Sequence, residues 1–120
     1  MADQLAIVIE PADGHVHPGQ TIVGAVVWEA TKPPAQVELR LGWYTEGKGT
    51  TDSATTESIV FSEPVGGWPS SGKVNFELAM PQAPLSYNGH LISICWQIEA
   101  ELDIKWGRDP WVQQPLVLTA

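Results

Sequence analysis

The sequence predicts an all-β protein, an immunoglobulin-like sandwich of about seven antiparallel strands. Apolar residues recur at every second position along several segments, as in strands with one face on a core and the other toward water. The ten prolines and eleven glycines fall almost wholly between these segments, where turns are expected. Helical periodicity is nearly absent, which favours a sandwich over mixed folds.

The predicted strands lie at 4–10, 21–29, 36–44, 55–63, 73–80, 92–106 and 111–119. Segment 92–106 alternates over fifteen residues, which is long for one strand, so we expect a bend or bulge near Ala100. Segment 21–29 is apolar on both faces. This predicts a central strand that is covered on both sides, or one with a bulge at Gly24.

The composition indicates one folded domain over residues 1–120. The chain is 43% hydrophobic and 17% charged, which is ordinary for a globular domain and too apolar for a disordered one. Its net charge of −8 repels phosphate backbones and anionic lipid, so we expect no nucleic-acid partner. No apolar run approaches the roughly 20 residues of a membrane span, so membrane insertion is not expected.

The single cysteine, Cys95, indicates a cytoplasmic protein. One cysteine cannot form an intramolecular disulfide, which fits a reducing compartment. The first residues have no basic region before their apolar stretch, so they are unlike a signal peptide. No neighbouring cation would activate the Cys95 thiol, so an inert side chain is expected.

Short motifs follow one another in a characteristic order along residues 5–119. They are His-Pro-Gly-Gln at 17–20, Thr-Ile-Val-Gly at 21–24, Val-Glu-Leu-Arg-Leu at 37–41, Val-Asn-Phe-Glu-Leu at 74–78, Met-Pro-Gln-Ala-Pro at 80–84 and Ser-Tyr-Asn-Gly at 86–89. This order resembles the N-terminal lobe of arrestin-like proteins, a family that includes the α-arrestins, retromer subunits and bacterial sporulation-control proteins.

The resemblance implies an arrestin-like β-sandwich that acts as a non-catalytic binding module, an adaptor or scaffold for another protein. Full arrestins carry two lobes, whereas this chain has the length of one. The charged core with which arrestins sense phosphates therefore has no obvious place here. Arg40 and Arg108 receive no phosphate-sensing role.

No motif predicts an enzyme, and no cofactor is expected. Ser70-Ser71-Gly72 lacks the frame of a nucleophile elbow, and neither a phosphate-binding glycine loop nor a Cys-x-x-Cys pair occurs. Glu99 and Glu101 fall on one face of a predicted strand, about 7 Å apart. An exposed acidic strand is the favoured interpretation, with a catalytic carboxylate pair as the alternative.

His15 and His17 form the one pattern with metal-ligand character. Alternate residues of a strand point the same way, but tight zinc binding needs four ligands. His90 or Asp13 would have to come close to complete a site. These histidines are therefore weak candidates, and we expect a polar loop without a metal.

Six tryptophans in 120 residues are the strongest oddity of the composition. Trp43 and Trp96 stay in register with core-facing aliphatic residues. Trp68 lies in a loop rich in Gly, Pro and Ser, and Trp111 follows Asp109-Pro110. We take Trp68, Trp111 and the nearby Arg108 as candidate binding residues, with a lid over the end of the sandwich as the alternative for the two indoles.

Three functions are compatible with these observations. The first is an interaction module for an unknown protein partner, which could also form a homodimer through its edge strands. The second is a carbohydrate-binding β-sandwich, because indole faces stack on sugar rings. The third is a self-assembling structural component of a larger particle.

Overall fold

A computed structural model describes residues 3–48 and 51–120 and shows nine strands in that part of the chain. They are β1 (Gln4–Glu10), β2 (His15–Val16), β3 (Thr21–Glu29), β4 (Gln36–Gly47), β5 (Ser53–Val60), β6 (Ser71–Ala79), β7 (Tyr87–Asn88), β8 (Ile92–Asp103) and β9 (Trp111–Leu118). The seven long strands are the predicted ones, and β2 and β7 are short additions. Of the described residues, none belongs to a helix that could cross a membrane.

The strands form two sheets that face each other. One sheet has three strands in the order β1-β3-β6, and the other has the order β2-β9-β8-β4-β5 with β7 paired to β8. All of these pairings are antiparallel except the short one between β2 and β9. The predicted antiparallel sandwich is confirmed.

The core lies between the sheets and uses alternate residues of the long strands other than β5, which is almost wholly exposed. The fully covered side chains include Trp28, Trp96, Ile22, Leu39, Leu41, Leu78, Ile98 and Leu102. Each contributes roughly 1.5–3 kcal/mol on burial, so this interface is the main source of stability. Residues between these positions in β4 and β8 point outward and form the surface described below.

The bulges predicted near Ala100 and at Gly24 are absent from β8 and β3. β8 stays in continuous register with β4 through Ala100 and ends at Asp103, without a bulge. The register shift occurs instead between β4 and β5, at Leu41 and Gly42. A Cβ at Gly42 would lie 2.6 Å from the carbonyl oxygen of Ala54, so this position requires glycine for the close approach of β5.

Gly24 likewise allows close packing and does not mark a bulge. β3 pairs with β1 and β6 without a register shift, and a Cβ at Gly24 would lie 2.7 Å from the Phe76 ring. Covering on both sides is wrong as well, because Val23 and Val27 are exposed on the outer face of the three-stranded sheet.

Candidate functional site

The structure divides the six tryptophans into two groups. Trp28, Trp68 and Trp96 are buried, and Trp43 is partly buried against the same core. Trp106 is 96% exposed and Trp111 is 60% exposed. Exposed indoles are costly in water and are common anchors in protein interfaces. Trp106 and Trp111 are therefore the first residues of the candidate site.

Trp68 closes the end of the sandwich. Only 8% of it is exposed, and its ring meets that of Trp28 edge-on, with 5.6 Å between centroids. The Trp28 Nε1 donates a hydrogen bond of 3.0 Å to the Pro69 carbonyl oxygen, which holds the loop in place. Trp68 thus acts as a lid over the core, and its covered ring is not available as a binding anchor on the surface.

Trp106 lies at the tip of the turn that joins β8 and β9. It is the one non-glycine residue with a positive φ, 64°, among the described residues. Gly107 N–H donates to the Ile104 carbonyl at 3.3 Å, and the Asp109 carboxylate accepts the Ile104 N–H at 3.0 Å. The turn thus holds the indole outward in a left-handed conformation that costs an L-residue about 1–2 kcal/mol.

Arg108 lies in the same turn and is exposed. Among the described residues, neither Arg108 nor Lys105 has a carboxylate within 4.0 Å. Both cations are therefore available on the rim of the turn, one on each side of Trp106.

Trp111 is the first residue of β9 and points out of the six-stranded sheet. It pairs directly with Glu101 of β8, and Glu101 in turn pairs with Glu38 of β4. Residues opposite one another on adjacent strands have Cβ atoms about 4.5–5.5 Å apart. We define the outer face as the outward side chains of these three strands: Gln36, Glu38, Arg40, Tyr44, Cys95, Gln97, Glu99, Glu101, Asp103, Trp111, Gln113 and Pro115.

Arg40 lies at the centre of the outer face and contacts three carboxylates. Its guanidinium donates to Glu99 and, at 2.9 Å, to Glu101, and it lies 2.9 Å from Glu38. The hydrogen bonds to Glu99 and then Glu101 raise the pKa of Arg40 further above its ordinary value. Arg40 is thus permanently charged and fully engaged, so it has no free donor fork for a phosphate.

A small recess opens beside this cluster at one end of β4 and β8. Its volume is about 200 Å³, and it is lined by Gln36, Glu38, Glu101, Asp103 and Asp109. Four of these five residues are carboxylates, and none is a cation. Trp111 does not line the recess, but it lies opposite Glu101 on the neighbouring strand β9 and is exposed.

A second, more apolar groove lies at the other end of the outer face. It has a volume of about 520 Å³. It follows the seam at which the partner of β8 changes from β9, which pairs as far as Trp96, to β7, which pairs with Ile94 and Ser93. Tyr44 and Cys95 pair across β4 and β8 on its floor. Partial burial, followed by the proximity of Cys95, raises the pKa of the Tyr44 phenol.

The two histidines engage the protein itself. His15 Nδ1 lies 3.3 Å from Asp13 Oδ2, and His17 Nδ1 lies 2.9 Å from the Thr119 carbonyl oxygen. The backbone N–H of His15 also binds Asp13, which lowers the pKa of that carboxyl. Residues 3–48 and 51–120 contain no group of three or more His, Cys, Asp or Glu that could hold a metal ion.

Two parts of the surface escaped sequence reasoning. Trp106 continues the alternation of segment 92–106, which suggested the end of a strand, whereas β8 ends three residues earlier. The neighbouring Gly107 was the available signal for a turn. The network around Arg40 depends on β4 and β8 being adjacent, which strand order alone does not reveal.

No protein-family model matches the chain, and no curated protein does. Among solved structures, the sporulation control protein Spo0M from Bacillus subtilis matches with a TM-score of 0.72 at 18% sequence identity. The chain has an arrestin-like fold. The match covers all of this chain and 50% of Spo0M, so the chain spans half the length of that structure. At this identity the likeness concerns the fold alone.

Proposed function

We propose that this chain is a non-catalytic module that binds another protein through the β8–β9 turn and the adjoining outer face. The observation that carries the proposal is the pair of exposed indoles, Trp106 in the β8–β9 turn and Trp111 at the start of β9. Tryptophan is enriched among the residues that dominate binding energy in protein interfaces. Arg108, between them in sequence, is the second residue type with this enrichment.

The conformation of the turn supports this role. Trp106 keeps a positive φ with almost no contact that would stabilise the fold in return. Backbone conformations of this kind are frequent at binding sites, where they present a side chain in advance of the partner. An anchor that is already ordered loses less entropy on binding, which increases affinity.

The chemistry of the described residues favours binding over catalysis. None of the described polar or charged residues is fully buried, whereas catalytic groups usually lie in clefts that shift their pKa. Glu99 and Glu101, the candidate carboxylate pair, both hydrogen-bond to Arg40. Both carboxylates are therefore engaged in an ion pair with the same guanidinium.

The test is capture of a partner by the immobilised protein from a lysate of cells that express it. The double variant Trp106→Ala, Trp111→Ala removes both indoles, and Val8→Ala, Val27→Ala removes two exposed side chains from the opposite sheet. We expect at least one protein to be retained by the wild type and the valine variant and lost with the tryptophan variant. Identification is by quantitative mass spectrometry.

Identical captured sets for all three proteins would contradict the proposal, provided that circular dichroism shows all three folded. The same outcome would remove the β8–β9 turn from the binding surface. A light-scattering measurement on the wild type separates a partner from a second copy of this chain, because a homodimer would appear without any lysate.

A carbohydrate ligand is the second candidate, and Trp111 favours it. Its indole lies on an open sheet face, with Glu101 opposite and Gln113 two residues along, so a sugar ring could stack while its hydroxyls bind polar groups. Soluble oligosaccharides of the cellulose, xylan and chitin series, titrated by calorimetry, test this directly. Heat that disappears with Trp111→Ala would favour this function over protein binding.

A further inference from the structure

We propose that the outer face receives an extended segment of the partner protein that carries lysine or arginine, and that one of its cationic side chains lies between Trp111 and Glu101. This inference rests on the proposed function and deepens it by specifying the partner's chemistry.

The charge of the surface is strongly one-sided. The end of the outer face nearest the β8–β9 turn carries Glu38, Glu99, Glu101, Asp103 and the adjacent Asp109, against the single cation Arg40. Lys105 and Arg108 belong to the turn and pair with none of the described carboxylates. The sheet surface itself therefore keeps a net negative charge that Arg40 reduces only in part.

Strand pairing makes this charge costly for the isolated protein. Glu38 and Glu101 stand directly opposite one another on β4 and β8, and like charges in this position destabilise a sheet. Arg40 bridges them, with one nitrogen toward each. A cation supplied by a partner would relieve the remaining repulsion, so the same carboxylates gain more in a complex than they do alone.

The recess has the dimensions of one side chain. Its volume of about 200 Å³ suits a guanidinium or ammonium group with part of its stem, and four carboxylates surround it. Trp111 lies on β9 opposite Glu101, outside the lining of the recess, where its ring can contact the aliphatic stem or the cation of a side chain that binds Glu101. Such a cation–π contact adds to the attraction of the carboxylates. An acidic or purely apolar segment would gain nothing from these groups.

The neighbouring groove gives the segment a path along the sheet. A groove of about 430 Å³ begins at Arg40 and Glu99 and reaches Tyr44, Gln97 and Gln113. Gly42 lies at its floor and has no side chain to fill it. An extended peptide that places its cation in the recess can continue through this groove toward the apolar seam beside β7.

The test uses fluorescence anisotropy with a labelled Arg-Gly-Ser repeat peptide. Two further peptides carry Gln or Glu at each arginine position, and a fourth carries Lys. We expect binding of the Arg and Lys peptides only. We expect affinity to fall about 10-fold or more when salt rises from about 0.05 M to 0.5 M, because the contacts are largely charged.

Matched variants separate a site from the general attraction of an acidic protein for a basic peptide. Glu101→Gln and Glu77→Gln remove one negative charge each, the first from the outer face and the second from the exposed face of β6. We expect Glu101→Gln to weaken binding about 5-fold or more and Glu77→Gln less than about 2-fold. Trp111→Ala should also weaken binding about 5-fold, with partial recovery in Trp111→Phe.

Equal losses for Glu101→Gln and Glu77→Gln would overturn the inference, since only net charge would then matter. Binding of the Gln peptide as tightly as the Arg peptide would overturn it as well. If a natural partner is lost with Trp106→Ala, Trp111→Ala but retained by Glu101→Gln, the proposed function stands and this inference fails. If capture from lysate never depends on the tryptophans, the proposed function itself fails.

Discussion

The β5–β6 loop and the β8–β9 turn both present tryptophan next to glycine, and the sandwich uses them in opposite ways. In the first, Trp68 follows two glycines with positive φ and packs edge-on against Trp28. In the second, Trp106 itself adopts positive φ before Gly107 and contacts almost nothing. The glycines let the first loop fold back over the core, whereas in the second turn Asp109 accepts a hydrogen bond from the Ile104 N–H and Trp106 stays exposed.

Whether a loop tryptophan is buried or exposed depends on what lies beneath the loop. Below Trp68 is the open end of the two sheets, where an apolar ring replaces water above the core. The β8–β9 turn lies at the end of a single sheet, and the recess beside it is lined by polar residues, four of them carboxylates. The same residue type therefore stabilises the fold in one place and is available for binding in the other.

Replacement of Trp68 should change the stability of the protein more than any other substitution in either of these two regions. We expect Trp68→Ala to lower the free energy of unfolding by about 3–5 kcal/mol, because it removes a buried indole and leaves a cavity against Trp28. The measurement is urea denaturation followed by circular dichroism. Trp106→Ala is the matched control and should change stability by less than about 0.5 kcal/mol. Similar losses for the two variants would show that the contrast between the two regions is wrong.

The outer face below the β8–β9 turn should depend on Arg40 for its stability. Arg40→Ala leaves Glu38, Glu99 and Glu101 without their shared cation, so we expect a loss of about 1–3 kcal/mol in low salt. The loss should shrink as salt screens the carboxylates. Lys73→Ala, on the opposite sheet, serves as the control. A loss that is independent of salt would indicate packing of the arginine stem rather than charge.

Replacement of Trp106 by glycine should raise stability slightly. Glycine removes the cost of positive φ in an L-residue but gives the unfolded chain more freedom, so the net gain is up to about 1 kcal/mol. Binding should fall in the same variant. If the variant is more stable but no longer binds the partner, the Trp106 side chain serves binding rather than folding. A decrease in stability of more than about 1 kcal/mol would mean that the indole supports the fold.

The smallest effect concerns Tyr44, on the half-buried part of the outer face. Its raised pKa means that the folded state favours the neutral phenol, so this stability is present below pH 10 and is lost as pH rises through the raised value. In Tyr87→Phe, absorbance titration of the remaining tyrosine should have a midpoint above 10.0, the ordinary value. A midpoint at or below that value would show that Tyr44 is solvated.

Much of the fold could be predicted from local pattern. Alternation along β4, β6 and β8 identified the strands and the side chains that face the core, because a strand has a period of two whatever its neighbours are. The candidate site was less accessible. Trp111 and Arg108 were proposed as candidates from their position beside a turn, whereas Trp106 was placed at the end of the long strand because its spacing matched the alternation.

The sequence alone determined the number of long strands, the composition of the core and the acidic character of the surface. These properties follow from residue type and spacing, which act over a few positions. Only the tertiary structure decided which loop tryptophan is covered, where the register shifts, and that Arg40 joins carboxylates from two strands. Those outcomes depend on contacts between residues such as Arg40 and Glu99, which lie far apart in the chain and meet only because β4 and β8 pair.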